Sequence, residues 1–85
     1  MKHATAKTLR SIEPLLVKLR RLPLKERKVG VFYRGASAFL HFHEDALGVF
    51  ADVKTARGWK RAGVNSALEV RGLLAEVEAE MGERR

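Results

Sequence analysis

The period of the apolar pattern changes twice along this chain, and those changes govern what it can fold into. Up to Pro23 apolar residues recur every three or four positions, as on one face of a helix. Between Val29 and Val64 they alternate, as on one face of a strand, and after Ser66 the helical period returns. The alternating stretch is interrupted by Gly35-Ala36-Ser37, by Glu44-Asp45-Ala46-Leu47-Gly48 and by Thr55-Ala56-Arg57-Gly58. Gaps this short can join only antiparallel neighbours, since parallel strands need a crossover of about a dozen residues or more. The sequence therefore predicts an α+β domain of order α-β-β-β-β-α, spanning residues 1–85 as one unit. Its sheet is an antiparallel meander over about 29–64, with both helices packed on one face.

The first helix is expected over about 9–22, with Leu9, Ile12, Leu16 and Leu19 as its stripe and Leu15 and Leu22 widening it. Pro14 either falls in the first turn of a helix capped by Ser11, where its missing N–H costs least, or kinks a longer helix. Lys18, Arg20 and Arg21 suit a helix C-terminus, and Pro23 ends it. Residues 24–28 read as a solvated linker. The last helix, over about 66–81, opens on Ser66-Ala67-Leu68-Glu69, a capping box, and carries Val70, Leu73, Leu74, Val77 and Met81 on its apolar side.

An 85-residue chain without cysteine has no disulfide framework, no thiolate metal site and no thiol nucleophile. No apolar run approaches the roughly 18 residues of a membrane span, and the start lacks the apolar core of a signal peptide. A cytoplasmic protein without a membrane partner is expected. The charge is lopsided: residues 1–35 hold ten Lys and Arg against two acidic residues, and residues 36–85 hold seven against eight. A basic half favours polyanion partners. Equally, the scarcity of Asn, Gln and Cys beside many Arg and Glu fits a heat-adapted surface.

Two constellations could carry function. The first is basic residues interleaved with aromatics. Lys18, Arg20, Arg21, Lys25, Arg27, Lys28 and Arg34 accompany Tyr33, while Lys54, Arg57, Lys60 and Arg61 surround Trp59. Such residues neutralise phosphates and stack on bases, so a non-enzymatic nucleic-acid-binding module without a cofactor is the leading expectation. About five neutralised phosphates would cost two to three orders of magnitude in affinity between roughly 50 and 200 mM salt. The second is His41-Phe42-His43. Residues two apart on a strand share a face, so both imidazoles stand opposite Leu40 and Phe42. They could take a transition metal with Asp45, Glu44 or Asp52 as an oxygen ligand, or remain two strand histidines bonded to a carboxylate. The open sheet face around Phe39, His41 and His43, or a sheet edge, could instead serve protein contact or a homodimer. No nucleophile elbow, phosphate-binding loop or dinucleotide fingerprint is present, and Ser37 has nothing to fix it into a dyad with His41.

The step Leu22-Pro23 with Glu26, followed by Gly35-Ala36-Ser37-Ala38-Phe39, resembles the MmcQ/YjbR-like family of small bacterial proteins, although that family's Lys in the Gly-Lys pattern is absent here. The stretch Phe39-Leu40-His41-Phe42-His43-Glu44-Asp45 with Phe50-Ala51-Asp52 also resembles a set of short bacterial proteins that share this core. The first resemblance implies a sheet-and-helix domain with a DNA-binding role; the second implies no function.

Overall fold

A computed structural model describes residues 2–82. A short β1 (Lys2–His3) leads into α1 (Ala6–Ser11) and α2 (Glu13–Arg20). Five strands follow: β2 (Lys25–Lys28), β3 (Val31–Arg34), β4 (Ser37–Asp45), β5 (Gly48–Thr55) and β6 (Gly58–Gly63). The described chain closes with α3 (Ala67–Gly82). All strands pair antiparallel in the order β2-β3-β4-β5-β6, and β1 pairs with the far half of β4. The α+β meander read from the sequence is present. None of the described helices is long and apolar enough to cross a membrane.

Three local features depart from the expectation. The predicted first helix is two helices that meet at Ile12, whose ψ of 22° breaks the helical run. Pro14 falls in the first turn of α2, where a missing N–H is harmless, but Ile12 and not Ser11 holds the cap position. Ser11 instead donates its hydroxyl to the Thr8 carbonyl, and Thr5 caps α1 by accepting the Thr8 N–H. The predicted linker 24–28 contains β2, an edge strand whose exposed charges blunt further pairing. Val29 is 58% exposed in the β2–β3 turn rather than starting a strand. Gly30 takes φ +79° in that turn, and its N–H donates to the Glu26 carboxylate.

The core lies between the helices and one sheet face. Leu15, Leu16 and Leu19 of α2 and Leu73 and Val77 of α3 join Phe32, Leu40, Phe42, Ala51, Val53 and Val64 in one cluster. The capping box forms: Ser66 Oγ accepts the Glu69 N–H at 3.1 Å, and the Glu69 carboxylate reaches back to the Asn65 N–H at 2.7 Å. Strand alternation would send Phe39 to the face opposite Leu40, yet Phe39 is only 3% exposed and belongs to the core cluster. The β3–β4 register supplies the reason. Phe32 pairs with Leu40 but Tyr33 pairs with Ala38, so Phe39 is an extra residue, a bulge that breaks the alternation.

Candidate functional site

The helix-free face of the sheet is set by register. His41 lies opposite Asp52, which lies opposite Arg61, so the three form one row across β4, β5 and β6. One rung along, His3 of β1 lies opposite His43, and His43 opposite Phe50. On the other side of the row Lys54 lies opposite Trp59. Residues directly opposite share a face, so these side chains cluster on the side away from Leu40, Phe42, Ala51 and Val53.

Asp52 is the centre of this cluster and is 7% exposed. Arg61 grips it with a two-pronged contact, Nε to Oδ1 at 2.7 Å and Nη2 to Oδ2 at 2.9 Å. Those bonds hold the Asp52 carboxyl well below its ordinary range, against the opposing effect of burial, and raise Arg61 in turn. His43 Nδ1 stands 3.0 Å and His41 Nδ1 4.0 Å from Asp52 Oδ2. Neither Nδ1 makes a hydrogen bond, although both are shielded from solvent. Burial chiefly lowers the pKa of His41, reinforced by the neighbouring His43, His3 and Arg61 and opposed by Asp52, so a neutral imidazole is favoured. The rings of His3 and His43 are 4.6 Å apart, those of His41 and His43 4.7 Å, and the His41 ring lies 4.9 Å from that of Trp59.

Of the carboxylates expected to join the histidines, the structure brings in Asp52 and not Asp45 or Glu44. Asp45 closes the β4–β5 turn by accepting the Leu47 N–H at 2.7 Å. Glu44 accepts the Thr5 N–H at 2.7 Å, and the hydrogen bonds from Thr8 and Thr5 lower its pKa. His3 is the member that sequence reading missed. A two-residue strand leaves no periodicity to find, and only its pairing with β4 places it here.

The basic residues divide by location. Lys18, Arg20 and Arg21 sit at the exposed end of α2, on the helix side of the sheet, whereas Lys54, Arg57, Lys60 and Arg61 belong to the β5–β6 hairpin. Lys25, Arg27 and Lys28 lie on β2, the opposite edge of the five-strand path from β6. Several are engaged within the chain: Arg20 with Glu13 and Glu26, Lys60 with Glu76, and Arg61 with Asp52. Arg34 bonds the Glu80 and Met81 carbonyls at the end of α3, where a cation suits the helix dipole. Arg27 stacks 4.4 Å over the Tyr33 ring, and the Lys54 ammonium lies 5.8 Å from the Trp59 ring centre. Among the described residues Lys54 and Arg57 have no ion-pair partner.

No family model, curated protein or solved structure matches this chain.

Proposed function

We propose that this domain binds single-stranded nucleic acid on its helix-free sheet face. The observation that carries the reading is Trp59, a large indole left 49% exposed on a face that none of the described helices covers, with Lys54 beside it and Arg57 in the adjoining turn. A base can stack on an exposed indole whatever its sequence, while the two cations meet the phosphates on either side. Tyr33 turns to the same side as the neighbour of core-facing Phe32, with Arg27 stacked on it. Three inter-strand steps separate the strands of Tyr33 and Trp59, roughly 14 Å, a span that a few nucleotides cover. The exposed indole and its neighbouring cations suit base stacking and backbone attraction.

The test is fluorescence polarisation of labelled single-stranded DNA and RNA, with duplexes as comparison, over a salt series. With Lys54, Arg57, Arg27 and Lys25 as the available contacts, two to four phosphates give a log–log salt slope of about −1.4 to −2.8. Charge reversal at Lys54 and Arg57 should make that slope shallower by about 1.4. Trp59→Ala should weaken binding by about 1–3 kcal/mol, roughly 5- to 150-fold, with no loss of fold because the indole is half outside the core. Absent binding at low salt, or binding indifferent to both variants, overturns the proposal.

A further inference from the structure

We infer that His41, His43 and Asp52 form a site for one divalent transition-metal ion of the zinc, cobalt and nickel class. The inference is independent of the nucleic-acid reading, since it rests on different atoms. One ring nitrogen from each of His41 and His43 and a carboxylate oxygen of Asp52 lie within 4.8 Å of one another, and the two Nδ1 atoms stand 4.0 Å and 3.0 Å from Asp52 Oδ2. Ligand atoms around a tetrahedral zinc stand roughly 3.3 Å apart, so small side-chain rotations bring this set to bonding distance. Both Nδ1 atoms are shielded from water and neither makes an aligned hydrogen bond, although His43 Nδ1 stands 3.0 Å from Asp52 Oδ2. Polar atoms in that condition are costly to bury, and two of them aimed at one anionic oxygen are more than chance exposure of strand histidines would give. A cation between the three groups would satisfy all of them at once.

Arg61 sets the carboxylate for this role. Its two bonds to Asp52 fix the plane of the carboxylate, much as outer partners orient metal-bound ligands elsewhere. The bond from Arg61 to Oδ2 uses one of that oxygen's lone pairs and leaves the other for a ligand bond. Two imidazoles and a single carboxylate oxygen select a borderline metal over magnesium or calcium, which demand mostly oxygen ligands. The His3 ring, 4.6 Å from that of His43, stands beside the set and is the nearest imidazole that could complete it.

Tag-free chain is titrated with cobalt(II) chloride and read by visible absorption, then with zinc chloride in competition. One ion per chain with an intense d–d band of low coordination number is expected, displaced by one equivalent of zinc. Asp52→Asn and the double change His41→Ala with His43→Ala should each weaken binding at least tenfold. His3→Ala should weaken it less than either, because three ligands persist. Because those substitutions could unsettle the sheet, zinc is also added to ¹⁵N-labelled wild-type protein and the histidine ring nitrogens are followed by NMR. Large shifts at the Nδ1 atoms of His41 and His43 support the site. The inference fails if no stoichiometric band appears, if binding survives the double substitution in folded protein, or if His3 alone responds.

Discussion

Truncating Phe39 tests whether the bulge in β4 is read correctly. A regular strand would place Phe39 with His41 and His43 on the helix-free face, where truncation usually changes stability by no more than about 0.5 kcal/mol. The structure instead counts Phe39 as an extra residue between the Phe32–Leu40 and Tyr33–Ala38 pairs and buries it in the core cluster. Removing a buried phenyl ring leaves a cavity and costs about 3–5 kcal/mol. A chain of 85 residues has a total stability of about 4–13 kcal/mol, so Phe39→Ala removes a large share of it. Near its midpoint such a chain loses about 0.18 kcal/mol per degree, so Tm should fall by roughly 17–28 °C. The assay is thermal unfolding followed by circular dichroism, with Phe50→Ala as comparison. Phe50 is half-buried on the helix-free face opposite His43, and its truncation should cost clearly less. A Phe39→Ala shift of only a few degrees, no larger than that of Phe50→Ala, would refute the bulge and return Phe39 to the face that carries Trp59.

Two further outcomes follow from particular contacts. Gly48 has φ +135°, and an added Cβ would lie 2.6 Å from Asn65 Oδ1, whose side chain both accepts the Val49 N–H and donates to the Val49 carbonyl. Gly48→Ala should therefore cost about 2–4 kcal/mol by chemical denaturation, whereas Gly35→Asn, at φ +62° with open space around it, should cost less than about 1 kcal/mol. Equal costs would show that crowding at Asn65 is not what makes Gly48 necessary. The pKa of His41 is lowered in the fold, so the unfolded chain binds the proton more readily. Its contribution is complete above the unfolded pKa near 6.5 and is lost as pH falls below that value toward the folded one. Stability measured from pH 7.5 to 5 should decline more steeply in wild type than in His41→Gln, with His43, His3, Asp52 and Arg61 unchanged around it. Parallel curves would dismiss burial of the His41 imidazole as a source of acid sensitivity.

The meander was legible because the turns between its strands are short, and α3 because Ser66 and Glu69 announce its first turn. β2 was not, because Lys-Glu-Arg-Lys has the same composition as a linker; charge protects an exposed edge strand and solvates a loop equally well. The shared face of His41 and His43 followed from spacing alone. Their carboxylate did not, because Asp45 and Asp52 are both compatible with the sequence until register is known. The two-residue turn Ala46-Leu47 decides it: with Asp45 opposite Gly48, His41 must face Asp52. The basic half could be counted, but counting could not say which cations are occupied. That depends on where Glu13, Glu26, Asp52 and Glu76 arrive in three dimensions.

That distinction changes what the net charge of +7 means. Of the four cations expected at the β5–β6 hairpin, Arg61 neutralises Asp52 and Lys60 is paired with Glu76, so only Lys54 and Arg57 are left for the proposed phosphate contacts. The α2 cations point from the other side of the sheet and cannot meet the same strand of nucleic acid without its wrapping the domain. A face with so few uncommitted charges near its centre must draw much of its affinity from Trp59, which is why the proposed binding is weaker in its salt dependence than the formal charge suggests. Arg61 belongs to the histidine–aspartate cluster and not to the free cations. Its two bonds hold Asp52 anionic and oriented beside His41 and His43, so one residue that composition assigns to a polyanion is instead occupied in an ion pair at the centre of the sheet.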